Sequence, residues 1–280
     1  MTQVRVLILR AAGTNCDKET AFAFQRAGAV ADRVHVEQVK ERPALLGDYQ
    51  VLCIPGGFSY GDDIAAGKIF ANQLHYHLAD ALRAFHDAGK LILGVCNGFQ
   101  VLLKAGLLPG DDGESTTTLV FNDSGQFEDR WVYLDVTPGR CVFLQGVDRL
   151  YLPVAHAEGK FVGHNLDVIR QLEVRGQVVL RYTAGVDDHA PGAGEGGRFP
   201  DTGLGLSTLN SRLSTPYPAN PNGSWADVAG LCDTSGRTLG LMPHPERHID
   251  ATQHPRWSRL NAVAEGDGLA LFRNAVRYFQ

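Results

Sequence analysis

Through the first hundred residues, short apolar runs alternate with segments of helical period. "VRVLIL" (residues 4–9), "VADRVHV" (30–36), "YQVLCI" (49–54) and "KLILGV" (90–95) have the length and composition of buried strands. Between them lie "DKETAFAFQRAGA" (17–29), with an acidic first turn, a long amphipathic stretch over 66–89 that stops at Gly89, and "NGFQVLLKAG" (97–106). Strands alternating with helices predict βαβ units and a parallel sheet, where chemistry gathers at the carboxyl ends of the strands. Two glycine-rich turns stand at such ends: "PGGFSYGDD" after the strand at 49–54, and "CNG" after the strand at 90–95.

The second half is richer in strand patterns. "TTTLVF", "WVYLDVT", "CVFL" (141–144), "LPVAHAEGKFV" (152–162), "VVLRYT", "VAGLCD" and "TLGLMP" each read as one strand. An amphipathic helix is predicted over 268–279. Residues 185–215 lie in a stretch dense in Gly, Pro, Ser and Asn with no sustained period, which reads as a long loop inserted into a single domain spanning 1–280.

Composition narrows the setting. Hydrophobic residues make up 44% of the 280, ample for a core, and 26 basic against 31 acidic residues give a net charge of −5. That balance disfavours a nucleic-acid partner. No apolar run reaches spanning length, so no membrane partner is expected. The 5 cysteines are odd in number, scattered and without a CxxC pair, so neither a disulfide framework nor a metal site is expected, and a cytoplasmic setting fits.

One of those cysteines has a distinctive context. Gly94-Val95-Cys96-Asn97-Gly98 has the G-x-nucleophile-x-G form, at a strand-to-helix junction. Side chains in place of the glycines would crowd the bend, and the N-terminus of the following helix favours an anion such as a thiolate. Cys16, Cys53, Cys141 and Cys232 lack that context and read as buried structural thiols. A cysteine nucleophile needs a base, and the base an orienting group. In "GLMPHPERH" (240–248), prolines after Met242 and His244 push both residues toward extended backbone. Residues two apart on an extended chain share a side, so His244 and Glu246 are expected to project together. The N–H of Asn97 is one candidate oxyanion donor; Gly57 is favoured for the second, with Gly56 and Phe58 as alternatives. No G-x-G-x-x-G follows the first strand and no G-K-[ST] occurs, so no nucleotide cofactor is expected in this chain.

Together these residues resemble the triad-type (class I) glutamine amidotransferases. "RAAGTNCDKETAFAFQRAGA", "IPGGFSYGDDIAAGKIFA", "LGVCNGFQVLLKAGLLPG", "FNDSGQFEDRWV", "PVAHAEGKFV", "NPNGSWADVAGLCD" and "GLMPHPER" run in family order. They are similar to the glutaminase subunits of phosphoribosylformylglycinamidine synthase. The resemblance implies an α/β, flavodoxin-like three-layer αβα sandwich with a mostly parallel central sheet. It implies L-glutamine as substrate, Cys96 as the group that forms a glutamyl thioester, His244 as base and acid, and Glu246 as its orienting carboxylate. Ammonia would pass to a separate large synthase subunit, which uses ATP and magnesium, and a small third subunit completes some such complexes. Gln100, one helical turn after Cys96, and His156 and Glu158 in "AHAEGKF" are candidate glutamine contacts; Asn122, Ser124 and Arg130 belong to the pocket or to a subunit interface. The alternative is a free-standing flavodoxin-like cysteine hydrolase, which commonly places its histidine directly after the nucleophile, where this chain has Asn97.

Overall fold

A computed structural model describes residues 3–110, 116–185, 214–260 and 265–280. The predicted alternation appears as β1 (Arg5–Arg10), α1 (Asp17–Arg26), β2 (Val30–His35), α2 (Val36–Glu41), β3 (Val51–Ile54), α3 (Lys68–Asp87), β4 (Leu91–Val95) and α4 (Asn97–Lys104). Then follow β5 (Thr117–Val120), β6 (Glu128–Val136), β7 (Arg149–His156), β8 (Lys160–Gly163), α5 (Leu166–Val174), β9 (Val178–Thr183), β10 (Val228–Cys232), β11 (Thr238–Leu241) and the C-terminal helix α6 (Leu269–Arg277).

Nine strands form one sheet in the order β2-β1-β3-β4-β11-β10-β9-β6-β7. The first five are parallel, and from β11 through β10, β9 and β6 to β7 every pairing is antiparallel. The order 2-1-3-4 closed by a fifth parallel strand is the flavodoxin-like arrangement. Right-handed crossovers explain the layers: β1-α1-β2 runs one way along the sheet and β3-α3-β4 the other, so their helices cover opposite faces. Phe24 of α1 meets Phe272 of α6 edge-on at 4.9 Å between ring centres, which seals the C-terminal helix onto the first layer. Burial follows the pattern that predicted it, since β3 and β4 are covered on both faces and every residue in them is buried.

The second half departs from its predicted elements in two places. Residues 142–144, expected as a strand, form a single three-ten turn. The run 152–162, expected as one strand, breaks after His156, and β8 leaves the main sheet to pair with β5. An apolar run does not reveal where a strand changes partners. Helices α2 and α5 were not anticipated; α5 is capped by Asn165, whose side chain accepts the Val168 N–H at 3.1 Å. The predicted insertion at 185–215 falls almost entirely outside the described residues. Among the described residues no helix is long and apolar enough to cross a membrane, and all five cysteines are buried and unpaired.

Candidate active site

Three neighbouring parallel strands, β3, β4 and β11, end together, and the loops leaving them build the site. Register places Ile54 beside Gly94 and Val95 beside Leu241. The chain therefore delivers Gly56-Gly57, Cys96 and His244 to one edge of the sheet from positions far apart in sequence.

Cys96 stands between β4 and α4 with φ 51° and ψ −107°, a backbone that non-glycine residues rarely adopt. Its N–H donates to the Leu241 carbonyl at 2.8 Å, which fixes the bend against β11. Both flanking glycines are required by contact. A Cβ on Gly98 would lie 1.9 Å from the Ile54 carbonyl oxygen, and one on Gly94 would lie 2.7 Å from the Gly98 carbonyl oxygen. At Gly56 an added Cβ would lie 2.7 Å from His244 Cε1, 3.1 Å from Cys16 Sγ and 3.4 Å from Cys96 Cβ. That glycine is the point around which the two thiols and the imidazole converge.

His244 and Glu246 meet, though not on an extended chain. His244 has φ −104° and ψ 90°, and Pro245–Arg247 forms a three-ten turn that folds Glu246 back onto it. Nδ1–H donates to Glu246 Oε1 at 2.6 Å, and both side chains are buried. The His244 N–H donates to the Pro153 carbonyl at 2.8 Å, which anchors the turn to β7. Burial opposes a charge on His244, but the Glu246 carboxylate and the thiols of Cys96 and Cys16 outweigh it and hold the imidazole well above its ordinary range. His244 Nε2 and Glu246 Oε2 are buried without a hydrogen-bond partner among the described residues.

Gly57, at φ 141°, pairs through Thr14 with the loop after β1. The Phe58 N–H donates to the Gly13 carbonyl at 3.1 Å, which removes Phe58 from the alternatives for an oxyanion donor. Asn97 begins α4, so its N–H belongs to the first turn, where a helix leaves donors unmet.

Gln100, His156 and Glu158 are each held by hydrogen bonds within the protein. Gln100 Nε2 donates to the Glu158 carbonyl at 2.7 Å while its Oε1 accepts from Asn97 at 3.0 Å. Glu158 Oε2 accepts the Ala66 N–H at 3.3 Å. His156 is buried between Asn122 Oδ1 (3.1 Å from Nδ1) and Asn222 Nδ2 (3.4 Å from Nε2). Burial, with the charge of His244, pushes its imidazole down to about 3, so the ring is neutral. Both ring nitrogens meet asparagine side chains, so His156 braces the loops that carry Asn122 and Asn222. Asn122 joins the same network through the His156 carbonyl at 2.8 Å and the Gly159 N–H at 3.0 Å. Arg130 pairs with Glu128 at 2.9 Å and stacks over Tyr217, while Ser124 accepts the Gln126 N–H within its own turn.

Cys16 and Arg247 were not picked out from sequence. Cys16 precedes α1 on the loop after β1, and its Sγ accepts from Arg247 Nη2 at 3.2 Å; Arg247 Nε donates to Glu19 at 3.0 Å. Burial pushes the Cys16 thiol up, against the pull of His244 and Arg247. The rule that chemistry gathers at the carboxyl ends of parallel strands was the available signal, since β1 is one of them. Cys16, Glu19, His244 and Glu246 offer donor atoms within 4.8 Å of one another, the one grouping among the described residues with cation-site spacing. The Arg247 guanidinium already reaches two of them, so protein supplies the positive charge there. A cavity of about 480 Å³ lies at the other end of the sheet, beside His86, Lys104 and Asp233, away from these groups.

The sequence matches the CobB/CobQ-like glutamine amidotransferase domain over residues 3–192 and 206–279. The chain belongs to that family. It is 45% identical to the phosphoribosylformylglycinamidine synthase subunit PurQ of Dehalococcoides mccartyi, over 99% of this chain and 98% of that one. It is 37% identical to the PurQ subunit of a Methanococcus maripaludis strain, over 98% and 97% of the two chains. Among solved structures, PurLQS from Thermotoga maritima contains a chain that superposes with a TM-score of 0.69 at 27% identity, covering 100% of both.

Proposed function

We propose that this chain is the glutaminase subunit of a phosphoribosylformylglycinamidine synthase and supplies ammonia to a separate synthase chain. The observation that carries the reading is Cys96, held at φ 51° on the elbow beside a buried His244–Glu246 pair, in a chain so similar to PurQ subunits over its full length. The Cys96 thiolate attacks the carboxamide carbon of glutamine. The C=O electrons move onto oxygen, where the N–H groups of Gly57 and Asn97 receive the charge. Collapse breaks the C–N bond, and the leaving nitrogen takes the proton from His244 Nε2 and departs as ammonia. Water then adds to the thioester and returns a proton to His244, and expulsion of the thiolate frees glutamate. Glu246 keeps Nδ1 protonated throughout, so that Nε2 is the nitrogen that gives and takes.

ATP and magnesium act in the synthase chain, to which this chain adds no cofactor. A PurL-type large subunit is the partner, with a small third subunit as in the PurLQS assembly, and the complex works in the cytoplasm without nucleic acid. Free ammonia is wasteful, so hydrolysis by the isolated chain is expected to be slow and strongly stimulated when the partner docks with its formylglycinamide ribonucleotide. Glutamate release measured while the partner is titrated in tests this. Full activity alone, unchanged by partner, would instead favour a free-standing cysteine amidase.

A further inference from the structure

One carboxamide joins the nucleophile elbow to the loop after β3. Asn97 is buried, its Oδ1 accepts the Ser59 N–H at 3.3 Å, and its Nδ2 donates to Asp62 Oδ1 at 3.2 Å and to Gln100 Oε1 at 3.0 Å. Asp62 Oδ1 also accepts the Gly67 N–H at 3.2 Å, which closes the loop on itself. Between Ser59 and Asp62 the backbone is unusual: Tyr60, Gly61 and Asp62 have φ of 55°, 69° and 54°. Two non-glycine residues in that region cost on the order of 1–3 kcal/mol each and persist only where the surroundings over-determine them. The surroundings here are two clamps. On one side the Phe58 and Tyr60 N–H groups donate to Gly13 and Ala12 at 3.1 and 2.7 Å. On the other stands the Asn97–Asp62 pair.

A polar tie in a loop is usually no more than a brace. This one has a particular position, because Asn97 supplies one proposed oxyanion donor through its backbone and fixes the segment carrying the other through its side chain. Ser59 is two residues from Gly57. We propose that Asp62 is a positioning residue for glutamine hydrolysis: acting through the Asn97 carboxamide, it sets the Gly57 N–H against the Asn97 N–H so that both meet one oxygen. The inference rests on the reading of those two N–H groups as the oxyanion hole.

The test compares Asp62→Ala, Asp62→Gly and Asp62→Asn in the chain assembled with its synthase, with Cys96→Ser alongside. Asp62→Gly removes the acceptor while accommodating the left-handed backbone, and Asp62→Asn keeps a carbonyl acceptor. Losing one oxyanion donor outright costs about 10²–10³ in kcat, so misplacing one is expected to cost roughly 10–100-fold. Asp62→Ala and Asp62→Gly are expected to lose that much in kcat with KM within about threefold, and Asp62→Asn to recover most of it. Alkylation of Cys96 by iodoacetamide, which forms an S–C bond and expels iodide without an oxyanion, is expected to stay near the wild-type rate in all three. Unchanged kcat in both the Ala and Gly variants overturns the proposal. So does a loss carried by KM, or one accompanied by slowed alkylation, since the triad would then be what moved. Full hydrolysis by Cys96→Ser would overturn the underlying catalytic reading instead.

Discussion

The Cys96 cluster at the ends of β3, β4 and β11 and the Asn222 network beside β7 treat their buried polar groups in opposite ways. In the first, Cys96 sits in a strained backbone, and His244 Nε2 and Glu246 Oε2 are buried without a hydrogen-bond partner among the described residues. In the second, Asn122, His156, Asn222 and Ser224 are equally buried and nearly saturated. Asn222 alone reaches His156, the Gly159 carbonyl, the Tyr182 hydroxyl and the Ser224 hydroxyl. A buried polar atom left unmet costs about 1–3 kcal/mol, and the proposed proton transfers give His244 Nε2 a reason to stay unmet. The two clusters meet along β7, whose Pro153 carbonyl accepts the His244 N–H and whose last residue is His156.

The sharpest way to break the comparison is to remove the reactive groups. Cys96→Ser and His244→Ala are each expected to lower glutamine hydrolysis by at least about 10³-fold, with Cys96→Ser leaving the thermal midpoint within a few degrees. The double variant should be no worse than either single one, because the members act as a unit; an additive loss in glutamate release would show that they do not. In the Asn222 network the signature should reverse. Asn222→Ala strips several buried groups of a partner and is expected to cost about 1–3 kcal/mol, a fall of roughly 3–8 °C in midpoint by calorimetry, with kcat within about threefold. A collapse of kcat at unchanged midpoint would place Asn222 among the reactive groups.

A third contrast lies at the far end of the sheet, where His86 Nε2 meets Asp233 Oδ2 at 2.8 Å. Asp233 lifts His86 above its ordinary range against the effect of burial. Burial tends to raise Asp233, but bonds from His86, Ser235 and Thr238 bring it down to about 2. The histidine's contribution is present below its unfolded pKa and fades as pH rises through the lifted value. The aspartate's contribution is present above its unfolded pKa and fades as pH falls toward about 2. Wild type should therefore exceed Asp233→Asn in denaturant midpoint most clearly between about pH 4 and 6.5, by on the order of 1–2 kcal/mol after allowing for partial exposure. A difference that is flat with pH would sink the assignment. The smallest effect is expected from shortening residues 193–205, which the family match leaves out. Their composition offers little apolar area, so glutamate release should stay within about twofold; loss of hydrolysis in a folded variant would tie that segment to glutamine.

Legibility followed the same division. The elbow could be read because its signal lies within five residues: a strand end, a nucleophile and two glycines. The His244–Glu246 pair could be read as a pair, although the turn that joins them was misjudged as extended chain. His156 was harder. Its two asparagine partners come from distant loops and leave no mark on the strand's own sequence. Cys16 was passed over because nothing within a few residues of it marks a site.

The sequence by itself determined the alternation of strand and helix, the buried β3 and β4, and the place of the bend at Cys96, since each shows in periodicity or in a motif a few residues long; the contacts that fix the bend, to Leu241 and Ile54, are long-range. Tertiary structure decided which partners that thiol meets. The pairing of β4 with β11 brings His244 and Arg247 to Cys96, and the end of β1 beside β3 brings Cys16 to the same place. It also decided which buried polar groups are satisfied. The physical reason is that hydrogen-bond partners across a sheet are set by strand order and register, which no local window of residues contains.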